Sequence, residues 1–162
     1  MIPSIIGLAN ILKLNDRLFI NALENITHEH TLDRLSEYDN PVSWLTNHIV
    51  WGRYEILNLL GRSDEKNPYT ELFKNFKPYD RDSVFNQIEY IKEEWNKIAL
   101  LTHEALELVT EEKLAEEPKS VTPMGIPTKF GNLSFFVWHE GYHLGQLAFL
   151  KKHYTEEAMK FF

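Results

Sequence analysis

His139 and His143 stand four residues apart. On an α-helix that spacing puts both imidazoles on one face, one turn above the other. Their Cβ atoms are then about 5–6 Å apart, close enough for both rings to reach one metal ion. Gln146, seven residues beyond His139, stays on the same face. Two ligands hold a divalent ion poorly, so a third must come from elsewhere in the chain. His48 is the candidate: it interrupts an apolar helical stripe that reads Trp44, Leu45, His48, Trp51 or Gly52, Glu55, Leu59. Three neutral imidazoles leave open positions on a zinc, nickel or similar divalent transition-metal ion. An ion with open positions can lower the pKa of water toward neutrality and so make a nucleophile. Ligating histidines normally donate their second N–H to an acceptor, and Glu55 and Gln146 are placed by spacing to accept it. With seven histidines in the chain, an HxxxH pair alone is a weak motif, and a lone inward His48 also reads as an ordinary core histidine. Both readings stand at this level.

The other four histidines have simpler explanations. His28 and His30 lie two apart in a polar connector and would face different ways on a helix. His103 falls just off an apolar stripe beside Glu104 and Glu107, as a partly exposed residue would. His153 follows Lys151 and Lys152, where cations suit the negative end of a helix.

Helices must carry these residues, and the periodicity supplies four long ones. The first is predicted over Ser4–Leu23, with Ile5, Leu8, Ile11, Leu12, Asn15, Leu18, Phe19 and Ala22 inward and Asn10, Lys13, Asp16 and Arg17 outward. The second is predicted to run to Leu60, with Asn40 as cap, Pro41 at the first helical position and Gly61 as the stop. The third is predicted from Asp82 to Val109 on a stripe that includes Val84, Phe85, Ile88, Trp95 and Leu106. The fourth is predicted from Asn132 to Lys152 and carries the histidine pair. Between them lie a connector at Asn25–Asp39 with a turn of helix after Thr27, a loop at Asp64–Tyr79, a helical turn at Thr110–Ala115 and an irregular stretch at Pro118–Gly131. A loop of that length in a small domain is often functional, and here it is expected at the mouth of the site or at a dimer contact. A short apolar-tipped tail, Glu156–Phe162, ends the chain. No segment alternates with period two. The expected architecture is therefore an all-α four-helix bundle forming a single domain over residues 1–162, with any cofactor site built from side chains on facing helices.

Composition narrows the function. A formal net charge of −7 argues against nucleic acid, which is held by clustered Lys and Arg. The absence of cysteine excludes thiolate ligands, disulfides and cysteine nucleophiles, so a metal would be held by nitrogen and oxygen. No stretch approaches the ~20 apolar residues of a membrane span. Met1–Leu12 is apolar but has neither a basic leading segment nor a small-residue cleavage site, and a cytoplasmic protein is expected.

The run Trp138-His139-Glu140-Gly141-Tyr142-His143-Leu144-Gly145-Gln146-Leu147 resembles the final-helix signature of the DinB/YfiT-like superfamily, commonly HExYHxGQ. Ser43-Trp44-Leu45-Thr46-Asn47-His48-Ile49-Val50-Trp51 resembles that family's second-helix segment. The resemblance covers nearly the whole chain. It implies a four-helix bundle with long crossover connections, often a homodimer, and a divalent metal held by His48, His139 and His143. It also implies a function class: thiol-dependent transferases and isomerases, proposed hydrolases, and members of unknown activity. A low-molecular-weight thiol as co-substrate enters on this ground alone.

His139-Glu140-Gly141-Tyr142-His143 also fits HExxH, the zinc-peptidase signature in which the glutamate is general base. The extended form needs Gly and His further on, where this chain has Gln146 and Phe149. A glutamate ligand would have to be Glu156 or Glu157, close behind the helix end. Glu140 lies one residue, about 100°, around the helix from His139, and is expected to point away from the metal or along its rim. Gly141 and Gly145 are expected to serve ordinary tight helix packing. The leading expectation is a metal-dependent thiol S-transferase-like enzyme or hydrolase acting on a small molecule, with Glu55, Gln146 and Glu140 as candidate catalytic residues. The alternative is a metal-binding or structural dimer without catalysis.

Overall fold

A computed structural model describes residues 1–62, 64–74 and 77–161. Four long helices make up the bundle: α1 (Ile6–Ala22), preceded by a 3₁₀ turn over Pro3–Ile5, α3 (Val42–Leu59), α5 (Ile88–Leu108) and α7 (Lys129–Thr155). Three short helices, α2 (His28–Leu32), α4 (Thr70–Phe73) and α6 (Glu111–Ala115), punctuate the connections. Among the described residues there is no strand, and no helix is long and apolar enough to cross a membrane. The all-α four-helix bundle read from periodicity is the fold observed.

Helix α3 packs on α5 and α7, and α1 packs on the same two neighbours. The diagonals of the bundle are therefore α1/α3 and α5/α7, pairs that follow one another in the chain. Each such connection must cross the end of the bundle, and this is why α2 and α6 lie in long crossovers. The core between the helices is aromatic and aliphatic. Trp95 is fully buried and stacks on Phe19 with ring centroids 4.2 Å apart.

Local chemistry sets the helix ends. Thr27 accepts from the His30 N–H while His30 Nδ1 accepts from the Thr27 N–H, a capping box that places His30 in a structural role. Thr110 and Thr128 cap α6 and α7 through the threonine side chain alone, without the reciprocal bond. At the C-terminus of α3, Gly61 takes a φ of 100°. The Arg62 N–H bonds the Leu57 carbonyl and the Gly61 N–H that of Asn58, closing a Schellman motif.

Several boundaries differ from the periodic reading. Pro41, not Asn40, occupies the cap position of α3, without a side-chain cap bond. Helix α5 begins at Ile88 rather than Asp82, because buried Asn47 captures the preceding backbone. Its Oδ1 accepts from the Asn86 N–H at 3.2 Å and its Nδ2 donates to the Asn86 carbonyl at 3.4 Å. Val84 is left 86% exposed. Helix α7 extends three residues beyond expectation at each end, from the Thr128 cap to the left-handed Glu156. On α1, Ile11 faces solvent and Ala9 takes its inward place. Asp16, expected outward, turns in toward Arg53 and His103. The final residue of the tail, Phe162, lies outside the described residues.

A candidate three-histidine metal centre

The stripe on α3 and the i,i+4 pair on α7 meet because these two helices are neighbours. His139 Nε2 lies 3.3 Å from His48 Nε2 and 3.0 Å from His143 Nε2. One ligand atom from each ring fits within a 4.8 Å cluster, and this is a donor set able to take a metal ion. Nitrogens sharing a zinc ion at tetrahedral angles would lie about 3.4 Å apart, given Zn–N bonds of about 2.0–2.1 Å. The observed spacings match that span.

Each ring is held differently. His48 is sandwiched between Trp44 (4.4 Å, 19°) and Trp51 (5.1 Å, 20°), with Phe73 edge-on. Its buried Nδ1 makes no hydrogen bond among the described residues, so aromatic packing rather than an acceptor at Nδ1 orients it. His139 stacks on Phe135 one turn earlier. His143 Nδ1 lies 2.7 Å from Gln146 Oε1. That carbonyl oxygen can only accept, so Nδ1 carries the proton and Nε2 turns its lone pair to the cluster. Gln146 thus occupies the position expected of a ligand-orienting acceptor. Glu55 does not: it lines the cleft, but its Oε1 accepts from Asn67 Nδ2 at 2.7 Å.

Burial is the main force on the titration of these rings. It pushes His48 down to about 2 from 6.5, helped by the two neighbouring imidazoles. It pushes His139 down to about 4, helped by His143. His143 is also lowered by burial, against the opposing pull of Gln146. All three are neutral at pH 7 and present lone pairs, the form a metal requires.

Glu140 lies on the other side of α7. It is 3% exposed, and its carboxylate accepts from Arg53 Nε at 2.8 Å, Arg53 Nη2 at 2.6 Å and Asn15 Nδ2 at 2.9 Å. Fully buried Arg53 also donates to Asp16 at 2.7 Å and stacks over Trp95 at 4.3 Å. Asp16 in turn meets His103. This network joins all four long helices and is absent from the periodic reading, which turns Asp16 outward; His103 is partly exposed, as expected, but its ring meets Asp16. A signal for it exists in the chain. Arg53 is the one Lys or Arg of α3, and Glu140 is the one acidic residue of α7. Glu140 is not among the residues that line the cleft.

The histidines floor a cleft of about 1440 Å³ between the α3–α4 region and the segment before α7. Pro118, Ser120 and Thr122 line it, so the irregular stretch sits at the mouth. Asn132 anchors that stretch, accepting from the Thr122 N–H and donating to the Ser120 carbonyl. Gly131 is required here, since a Cβ would come within 2.5 Å of Ile126. Gly141 and Gly145 do not serve tight packing within this chain: a Cβ at either meets nothing within 4 Å. His28 and His153 are exposed and far from the cluster in role, and His30 stacks on Tyr154.

A small helical bundle in which histidines of two facing helices converge beneath a cleft defines the class to which this chain is to be compared. The chain belongs to the DinB superfamily, whose family profile matches residues 11–147. A DinB-like protein of Bacillus subtilis, YjoA, has a similar structure: TM-score 0.64, 18% identity, covering 95% of this chain and 96% of that one. At that identity the likeness speaks for the fold. No curated protein matches the chain.

Proposed function

We propose that this protein binds a divalent transition metal, zinc or nickel, through His48, His139 and His143, and uses it as an enzyme on a small molecule. The observation that carries the reading is the convergence of three Nε2 atoms at 3.0 and 3.3 Å beneath a cleft. When bound, the ion supplies Lewis acidity that brings water or a thiol to the nucleophilic form near neutral pH. The rest of the reading concerns the chain's own groups. Gln146 keeps His143 in the ligating tautomer, while Trp44, Trp51 and Phe135 hold the other two rings in place. Aromatic rings, Trp44, Trp51, Phe135 and Phe136 among them, line the part of the cleft beside the histidines. A low-molecular-weight thiol as co-substrate is supported by superfamily membership, and hydrolysis is the runner-up reaction. The zinc-peptidase reading loses its base, because Glu140 is engaged with Arg53.

The outer face of α7 supports association with a second copy. Trp138, Gly141, Tyr142, Gly145 and Phe149 form an exposed face that carries no charge. The experiment for the central reading is elemental analysis of the purified protein and its His48→Ala variant. A screen of the metal-loaded protein for thiol transfer to electrophiles and for ester or amide hydrolysis accompanies it. One metal per chain with turnover, both lost in the variant, is expected. Metal without turnover favours the non-catalytic binder.

A further inference from the structure

The cleft above the histidines has two chemically distinct zones. Near the cluster its wall is aromatic: Trp44, Trp51, Phe73, Phe135, Phe136 and Tyr142. Farther out it is lined by Lys66, Lys74, Lys77, Lys113, Lys119 and Lys129. Those six are half of the twelve lysines in a chain whose net charge is −7. Among the described residues, three carboxylates line the same cleft: Glu55, Glu65 and Glu117. Glu65 pairs with Lys97 outside the cleft, while Glu55, bonded to the neutral amide of Asn67, keeps its charge, so six cationic side chains face three anionic ones.

The lysines are only partly neutralised by their own neighbours. Lys113 and Lys129 share a single carboxylate, Glu116, at 3.0 and 2.6 Å. Lys74 pairs with Glu71. Among the described residues, no ion pair engages Lys66, Lys77 or Lys119. They come from both sides of the cleft: Lys66 and Lys77 from the connection between α3 and α5, Lys119 from the one before α7. Positive charge concentrated in a concave site of an acidic protein raises the local concentration of anions and repels cations, while the rest of the surface repels anions. The aromatic floor would add apolar area that a bare inorganic anion could not use.

We infer that the cleft selects an amphipathic anion: a small molecule whose carboxylate or phosphate rests among the lysines while its uncharged end lies on the aromatic rings beside the histidines. This names the substrate class for the small-molecule site proposed above and rests on that reading of the cleft, without depending on the metal.

The test uses phenyl phosphate as probe, with benzyl alcohol and benzylammonium as neutral and cationic partners of similar size. Binding is followed by the fluorescence of the protein, in which Trp44 and Trp51 line the cleft, for metal-loaded and chelator-treated protein alike. Phenyl phosphate should bind at least about tenfold more tightly than benzyl alcohol in both forms, with benzylammonium weakest, and the preference should shrink as salt rises. The triple variant Lys66→Gln, Lys77→Gln, Lys119→Gln changes exposed side chains only. It should abolish most of the preference and leave benzyl alcohol binding unchanged. Equal affinity for phenyl phosphate and benzyl alcohol overturns the proposal. So does a phenyl phosphate preference that needs the metal and ignores the lysine substitutions, since the ion would then be the anion receptor. A protein that carries no metal yet prefers phenyl phosphate keeps this inference and loses the metal-centre reading. A metal-bearing protein without the preference does the reverse.

Discussion

Glu140 turns its carboxylate away from the histidine it follows and clamps Arg53 through two hydrogen bonds, at 2.8 and 2.6 Å, in the interior of the bundle. One residue of helix rotation, about 100°, separates the metal face of α7 from this structural face. The pair therefore fixes the rotation of α7 about its own axis, and with it the direction in which His139 and His143 point. Removing one partner of a buried ion pair typically costs about 3–5 kcal/mol, and because Asp16 stays bonded to Arg53 at 2.7 Å the loss here should fall toward the low end of that range. Glu140→Gln is expected to lower the stability of the fold by that order in urea denaturation while the folded fraction keeps its metal content. Unchanged stability with lost turnover would instead make Glu140 a catalytic group.

The three clustered histidines should be separable from the other four. Alanine at His48, His139 or His143 is expected to remove most bound metal by elemental analysis, because two imidazoles hold a divalent ion weakly. Each variant should stay helical by circular dichroism and lose the few kcal/mol that metal binding adds by mass action. Alanine at His28, His30, His103 or His153 should leave metal content unchanged. A metal-free His103→Ala protein would show that the wrong cluster has been assigned.

Acid should destabilise the protein through the same rings. In the fold His48 and His139 are pushed down to about 2 and about 4, against 6.5 for exposed histidine. Between those values the unfolded chain binds more protons than the native one, so stability rises with pH there and is lost as pH falls. The loss should begin just below pH 6.5 and continue through pH 4, with metal release adding to it. Thermal melts from pH 7.5 to 4.5 should show a steeper decline for the native protein than for the triple histidine variant. Parallel curves would remove these rings from the explanation.

The mouth of the cleft depends on Gly131. A Cβ there would come within 2.5–2.6 Å of Ile126 side chain and backbone. Gly131→Ala is expected to destabilise by about 1–3 kcal/mol, as overpacking does, and to displace the Pro118–Ile126 segment. Ligand affinity should fall while metal stoichiometry holds, measured by fluorescence titration beside elemental analysis. Coincident loss of metal would mean that this segment supports the histidines themselves.

The uncharged face of α7 gives a prediction about association. Phe149 is 65% exposed and Trp138 58%. A charged residue at either position should convert a dimer to a monomer in light scattering at micromolar concentration, with the melting temperature otherwise retained. A native protein that is monomeric at all concentrations would remove the dimer from the reading.

Much of this protein is legible in its residues one helix at a time. Apolar positions recurring every three to four residues announce the four long helices. His139 and His143 share a face by spacing alone, and Gln146 falls where it can support His143. These follow from helical geometry, which is local and obeys a fixed period. His48 interrupts its stripe in a way the family resemblance explains, but its contact with that pair exists only because α3 and α7 pack as neighbours. Periodicity starts α5 too early because it cannot show that Asn47, about forty residues earlier in the chain, captures Asn86. Spacing points Asp16 to water although it helps hold Arg53, and points Glu55 to a histidine although Asn67 holds it. The six lysines are scattered from position 66 to position 129 and share a cleft only after folding. In each of these cases the partner lies on another element, and which buried charge or amide meets which is decided by the packing of helices, a property that no single periodic stretch contains.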